Sequence, residues 1–143
     1  KILSGWSDRF EEALLGAMLA GLGISTAGRE ADRALTAALI GTLQSRAVGI
    51  DRLLFDWRGG RHPESEAYAD EHFRELGKLL KGRQRPLTHA YWSNADPCSM
   101  HIEEVEAIWS AIAERDGWRP PEAKITAIRR MGEAMVEDAP PAA

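Results

Sequence analysis

The sequence predicts an all-α fold, a compact bundle of about six amphipathic helices. Apolar residues recur at intervals of three and four along most of the chain, and this spacing places them on one side of a helix. No segment alternates apolar and polar residues for long enough to indicate a strand. Because no amphipathic helix can cover its own apolar side, the helices are expected to pack against one another.

The first two helices are expected to face each other across a glycine-rich turn. In the first helix, apolar side chains recur every four residues, at Trp6, Phe10, Leu14 and Met18. The segment from Gly21 to Ser25 ends it, because glycine tolerates the left-handed backbone of a helix C-cap. The second helix opens near Gly28, and its apolar side consists of Ala31, Leu35, Ala38, Leu39 and Thr42.

Two further helices are predicted in the middle of the chain. The third is short, contains Trp57 and ends at Gly59 and Gly60. The fourth is polar on one side and has Ser65 as its candidate cap. Its buried side is expected to consist of Tyr68, Phe73, Leu76, Leu79 and Leu80.

The last two helices follow a connector over residues 81–97, in which we expect a single helical turn. The fifth helix has the clearest apolar side in the chain, with Ile102, Val105, Ile108, Trp109 and Ile112. The sixth follows Pro120 and Pro121, and its apolar side consists of Ile125, Ile128, Met131 and Met135. Trp57 and Trp109 are expected to meet in the core. Trp118 is expected to close one end of the bundle, with its N–H on a backbone carbonyl.

Composition restricts the class of protein. The 143 residues fit one domain over residues 1–136, followed by a flexible tail over residues 137–143. A net charge of -4 argues against a nucleic-acid partner, and the lone cysteine excludes an internal disulfide. A single cysteine is compatible with a reducing, cytoplasmic setting, which we expect for this protein. No apolar run approaches the roughly 20 residues that span a bilayer, so we expect no membrane partner. The first residue is Lys1 rather than methionine, which suggests a C-terminal fragment of a larger protein.

The segment from Asp96 to Trp109 raises the question of a reactive site. It holds Cys98, the only cysteine, three residues before His101. A helix N-terminus and a cationic neighbour both lower the pKa of a thiol, but no third group is evident to orient the histidine. Asp96 before Pro97, or alternatively Ser99, is suited to cap a helix. We therefore interpret the segment as the capped start of a core helix, with Cys98 and His101 in its first turns.

The other candidate sites also have structural interpretations. The histidines at 62, 72, 89 and 101 lack metal-binding spacing, so a zinc site would have to be assembled from distant helices. Glu103, Glu104 and Glu106 point different ways on a helix and are expected to face solvent. The glycines in residues 57–61 favour a helix stop over an anion-binding nest. Arg129 and Arg130 suit the negative end of the last helix. The sequence thus predicts no catalytic, cofactor-binding or metal-binding residue.

Three segments of the chain share the order of their features with one protein family. Residues 6–24 are similar to a segment in which an aromatic-Arg-Phe element precedes a methionine and a helix end. Residues 50–60 are similar to a later element that opens the next helix with an aspartate and aromatic residues. Residues 95–131 are similar to a C-terminal block whose pattern is an Asn-Pro, a short polar stretch containing a histidine, a Val-Glu and then two helices. Together these segments resemble the selenoprotein O family.

The resemblance implies a function for the whole parent protein. Members of this family have a pseudokinase fold and transfer AMP from ATP to protein hydroxyl groups, using metal ions. Their nucleotide-binding and catalytic residues lie upstream of the region that this chain resembles, so none is carried over, and ATP and Mg²⁺ are implied for the parent alone. The chain departs from the family at Asp96, where an asparagine is usual, and in lacking the Pro-Arg-Asn-His group. It also lacks a cysteine near its C-terminus.

These observations lead to three functional hypotheses. The first is a non-catalytic C-terminal region of a selenoprotein O-like adenylyltransferase, a scaffold or regulatory surface that docks against the kinase-like N-terminal part. Protein substrates of the parent are further candidate partners. The second is a free-standing helical module for protein–protein interaction. The third is a small metalloenzyme that uses the scattered histidines.

Overall fold

The computed structural model describes residues 5–141, and the all-α prediction is confirmed for that part of the chain. Six α-helices follow one another: α1 (Trp6–Leu22), α2 (Arg29–Gln44), α3 (Ile50–Asp56), α4 (Glu71–Leu80), α5 (Ile102–Arg115) and α6 (Arg119–Glu137). Short 3-10 turns occupy Arg58–Gly60, Glu66–Tyr68 and Ala90–Ser93, and residues 5–141 contain no strand. The turn at Ala90–Ser93 is the single turn predicted in the connector.

The described residues form two compact units. The first comprises residues 5–87 with 139–141, and the second comprises residues 88–138. The predicted domain over residues 1–136 begins outside the described residues, and its being a single domain stays a prediction. None of the helices described has the length and apolarity that crossing a membrane would require.

The core of the first unit lies where α1, α2, α3 and α4 pack together. Of the predicted apolar sides, Leu35, Leu39 and Thr42 of α2 and Phe73, Leu76 and Leu80 of α4 are buried, which confirms both helices. Ala31 is exposed, and Tyr68 is buried but lies in the 3-10 turn before α4. Each large apolar side chain that is fully buried stabilises the fold by about 1.5–3 kcal/mol. The most completely buried are Leu22, Leu39, Leu53, Trp57, Phe73 and Leu76.

Trp57 lies in this core, as predicted, and is the centre of an aromatic cluster. Its ring is fully buried and lies 5.7 Å from the Tyr68 ring and 6.1 Å from the Phe73 ring, centroid to centroid. The Tyr68 hydroxyl donates a hydrogen bond of 2.5 Å to the Asp56 carboxylate. Burial, together with this hydrogen bond, raises the pKa of Tyr68 to about 12. Packing of the Trp57, Tyr68 and Phe73 rings therefore joins the end of α3 to α4.

The two ends of α1 behave differently. At its C-terminus Gly23 has a φ of 64° and ends the helix as predicted. The buried Arg58 completes that end, because its Nη1 donates to the carbonyls of Ala20 at 2.6 Å and Gly21 at 3.1 Å. At the N-terminus, however, Trp6 and Phe10 are exposed. The predicted packing of this end of α1 against α2 is therefore wrong.

The cap of α4 also differs from the prediction. Ser65 does cap a helical turn, but it is the 3-10 turn at Glu66–Tyr68, where the Ser65 side chain accepts a hydrogen bond from the Ala67 amide. The α-helix itself begins at Glu71, and Asp70 accepts from the His72 amide at 2.8 Å. Two capping residues thus follow each other closely, Ser65 for the 3-10 turn and Asp70 for α4.

The second unit is built from α5, α6 and the 3-10 turn at Ala90–Ser93. Its most connected buried group is Asp138, whose carboxylate accepts hydrogen bonds from the Thr88 and His89 amides, the Thr88 hydroxyl and the Trp92 indole N–H. Asp138 is the second residue of the predicted tail. Asp138 is therefore held in place, in contrast to the flexible tail expected there, and it is held by hydrogen bonds rather than by apolar contacts.

Two other predictions for this unit are corrected. Trp118 does not close an end of a bundle; its ring is exposed, and its N–H donates to the Asp116 carboxylate at 2.8 Å instead of a backbone carbonyl. Arg129 and Arg130 are not at a helix end, because α6 continues to Glu137. They lie more than one turn before its C-terminus, where the helix dipole has little effect.

Candidate functional site

One side of α5 presents a row of exposed apolar side chains. Ile102, Val105 and Trp109 are 63%, 39% and 70% exposed, and their spacing of three and four places them on the same side of the helix. We call these three residues the outer face of α5. The prediction that this side is buried and that Trp109 lies in the core is therefore wrong. Large apolar groups exposed together are typical of an interaction surface.

A second exposed apolar row lies on α6. Ile125, Ile128 and Met135 follow a helical spacing and are exposed, although all three were predicted to be buried. The buried residue of α6 is Ala134, and that of α5 is Ala111. These two helices thus bury alanines and leave larger apolar groups in solvent, which is the reverse of the usual arrangement in a globular core.

A cavity of about 750 Å³ lies on the other side of α5, between that helix, α6 and the segment before α5. Its apolar lining includes Ala107, Ile108, Ala111, Ala123 and Ala127. Its charged lining consists of Asp96, Glu104, Arg115, Lys124 and Arg130. The volume falls within the range of roughly 300–1,000 Å³ that is usual for small-molecule sites.

The charged groups of the cavity differ in how they are paired. Lys124 is mostly buried, and its Nζ lies 2.6 Å from the Glu104 carboxylate and donates to the Ser99 carbonyl. Arg115 and Arg130, in contrast, have no hydrogen bond or ion pair with any residue that the structure describes. Two guanidinium groups therefore line the cavity with their positive charge uncompensated by a bound carboxylate.

Cys98 lies in this cavity rather than in a helix. Helix α5 begins at Ile102, so Cys98 and His101 both precede the helix. The prediction that they lie in its first turns is therefore wrong. The Cys98 thiol is free and half-buried, and its backbone N–H donates to the Tyr91 hydroxyl at 2.9 Å. The extended backbone at His101 separates the predicted caps from the helix. Cap-type residues alone therefore did not locate the helix start.

The remaining candidate residues have structural roles. Imidazole contacts occur at His62, which packs edge-on against Trp57, and at His89, whose Nδ1 accepts from the Tyr91 amide. Within residues 5–141 no three His, Cys, Asp or Glu side chains are grouped to share a metal ion. Glu103, Glu104 and Glu106 are exposed, as predicted.

The glycine pair lies in the 3-10 turn after α3, whereas the α-helix itself ends at Asp56, so the predicted helix end at Gly59 and Gly60 is three residues too late and Trp57 is outside the helix. Gly59 and Gly60 have φ values of 67° and 72°, which favour glycine. Arg58 and Arg61 on either side donate to backbone carbonyls, the latter to Phe55. These arginines are thus engaged with helix ends of the same unit and do not form an open anion nest.

Sequence reasoning missed the grouping of Arg115, Lys124 and Arg130. The available signal was the spacing of Glu104, Ile108, Ala111 and Arg115, which shows a second side of α5 with charged residues at both ends. That signal was weaker than the row of large apolar residues beside it. Small alanines carry little weight in an apolar pattern, yet here they line the cavity.

Comparisons with known proteins identify no family for this chain. No protein-family model matches this chain, no curated protein matches it, and no solved structure matches it. The exposed faces of α5 and α6, the cavity and the resemblance described above are therefore the observations from which function is argued.

Proposed function

We propose that this chain is the non-catalytic C-terminal helical region of a selenoprotein O-like protein adenylyltransferase. In this proposal it is a scaffold that docks against the kinase-like N-terminal part of the same protein, through the outer face of α5. The observation that carries the proposal is the exposure of Ile102, Val105 and Trp109, the clearest apolar pattern in the chain. The resemblance of residues 95–131 to the family's C-terminal block supplies the identity of the partner.

The physical argument is the free energy of burial. Moving a large apolar side chain from water into a packed interface contributes about 1.5–3 kcal/mol, and tryptophan is enriched among the residues that dominate interface energies. Trp109, with Ile102 and Val105 within one or two turns, therefore provides the centre of an interface. Exposed Glu103 and Glu106 on the same helix are suited to its polar rim.

The chain has no catalytic role in this proposal. AMP transfer, ATP binding and Mg²⁺ binding are assigned to the upstream part of the parent. The contribution of residues 5–141 is then to hold the kinase-like part in an active arrangement, or to present protein substrates to it. Loss of the outer face would weaken that arrangement without removing any group that touches ATP.

Substitution of Trp109 in the full-length parent tests the proposal. We expect Trp109→Asp to reduce transfer of labelled AMP from ATP at least tenfold, because an aspartate would place a charge inside the interface. The matched control is Glu106→Ala, on the same helix but at the predicted rim, which should retain activity. Circular dichroism of both variants of the 143-residue chain should be unchanged. Full activity of Trp109→Asp would contradict the proposal.

A second candidate function is a free-standing module for protein–protein interaction. It is favoured by the additional exposure of Trp6 and Phe10, whose rings stack 5.3 Å apart on α1. An adaptor needs two binding surfaces, and α1 and α5 would supply them. An immunoblot of source cells with an antibody against the chain distinguishes the candidates. A band near 15.8 kDa supports the module, and a band several times heavier supports the adenylyltransferase.

A further inference from the structure

We propose that the cavity of the second unit binds a small organic anion with an apolar body, such as a short-chain carboxylate. In this arrangement Arg115 and Arg130 hold the anionic group, and the alanine-rich walls of α5 and α6 accept the apolar chain. This site is additional to the docking surface and does not depend on the proposed function.

The first argument is the composition of the cavity wall. The sides of α5 and α6 that line it carry Ala107, Ile108, Ala111, Ala123 and Ala127. Because most of these side chains are single methyl groups, they leave space between the two helices instead of filling it. Binding sites for small molecules have this character, with a mostly apolar wall and a few placed polar groups.

The second argument is charge. Acidic residues outnumber basic ones in residues 88–138, so a small anion would be repelled by most of this unit's surface. The cavity is the exception. Its lining carries two carboxylates, Asp96 and Glu104, against three basic groups. Glu104 is paired with Lys124, whereas Arg115 and Arg130, which are exposed, have no partner among the described residues. Guanidinium groups bind carboxylates and phosphates through paired hydrogen bonds, so these two arginines select an anionic ligand.

The cavity is separate from the outer face of α5. Glu104, Ile108, Ala111 and Arg115 lie on one side of the helix, and the outer face is turned from them by roughly a third of a turn, given 3.6 residues per turn. A ligand in the cavity and a protein on the outer face can therefore be bound independently. Failure of one proposal leaves the other intact.

Titration of the ¹⁵N-labelled 143-residue chain with sodium octanoate, followed by NMR, tests this inference. We expect saturable shifts at the amides of residues 107–111 and 123–127. An equally long cation, octyltrimethylammonium, should not produce them. The double substitution Arg115→Gln with Arg130→Gln should weaken octanoate binding at least tenfold. The matched control, Arg119→Gln with Arg129→Gln, removes two exposed arginines that do not line the cavity and should leave binding unchanged.

A third variant tests the site without altering charge. Ala123 is an exposed residue of α6 that lines the cavity, so Ala123→Leu should fill it and abolish the octanoate shifts while retaining the helical spectrum. Equal binding of the cation, equal weakening by both arginine pairs, or shifts at residues 107–111 with none at residues 123–127 would each overturn the inference. The absence of saturable shifts would overturn it as well.

Discussion

The buried carboxylate of Asp138 connects the last helix to the segment that opens the second unit. Burial by itself would raise the pKa of this group, but hydrogen bonds from the Thr88 and His89 amides, the Thr88 hydroxyl and the Trp92 indole lower it to about 2. The ordinary value is 3.8. This difference corresponds to a stabilisation of about 2 kcal/mol when the carboxylate is ionised in both states.

This shift predicts how stability depends on pH. Because the pKa is lower in the folded state, the stabilisation is complete above pH 3.8 and is lost as pH falls to about 2. We expect Asp138→Asn to reduce the free energy of unfolding by about 2–4 kcal/mol at pH 6, since it also leaves buried amides with a poorer acceptor. The difference in free energy of unfolding between the variant and the natural sequence should be smaller at pH 2. Urea unfolding monitored by NMR at Thr88 and Trp92 measures this difference. A difference that does not depend on pH would contradict the role assigned to the ionised Asp138 carboxylate.

Cys98 is predicted to be dispensable. It is half-buried, and the hydrogen bond near it comes from its backbone N–H, which any substitution except proline preserves. We expect Cys98→Ser to change the free energy of unfolding by less than about 1 kcal/mol and to leave AMP transfer by the proposed parent adenylyltransferase intact. Thermal unfolding and the activity assay measure the two effects. Loss of AMP transfer at unchanged stability would assign the thiol a role that the structure does not suggest.

At the scale of the helix, two glycines of α1 should respond oppositely to alanine. Gly16 lies in the exposed middle of the helix with open space around it, so Gly16→Ala should stabilise the chain by about 0.5–1 kcal/mol. Gly23 has a φ of 64°, and a methyl group there would overlap the Arg58 guanidinium. Gly23→Ala should therefore destabilise the chain by about 2 kcal/mol or more. Thermal melts of the two variants compare them, and equal effects would count against this account of the helix end.

The helices themselves were largely predictable from the sequence. The apolar sides of α2 and α4 were identified correctly because buried leucines and aromatic residues recur there with helical spacing. The end of α1 was predictable because only glycine readily adopts the backbone found at Gly23. In each of these cases the local pattern and the tertiary packing agree.

Helix α5 shows what the sequence pattern does not predict. The spacing of its apolar residues correctly predicts a helix with one apolar side. The spacing does not identify whether another part of the protein covers that side. The structure buries Ala111 and exposes Trp109, so the strongest apolar signal marks a surface. Asp138 was unpredictable for a related reason. A single polar residue has no periodicity, and its burial depends on Thr88 and Trp92, which are distant in sequence.

At the scale of the whole molecule, the charged and apolar features of the second unit suit separate roles. The outer face of α5 offers apolar area for a protein, and the cavity on its other side offers unpaired guanidinium groups for an anion. The first unit has a well-packed core around Trp57. The proposed docking function thus assigns partner contact chiefly to residues 88–138.

The most direct test of the docking proposal is oxidative footprinting of Trp109 in the native polypeptide that carries this sequence, compared with the isolated 143-residue chain. Trp109 is 70% exposed here, so its indole should be oxidised rapidly in the isolated chain. In the native polypeptide we predict strong protection of Trp109, because in the proposed arrangement the kinase-like part would cover the outer face of α5. Equal rates of oxidation in both samples would contradict the proposal that this face is a docking surface within a larger protein.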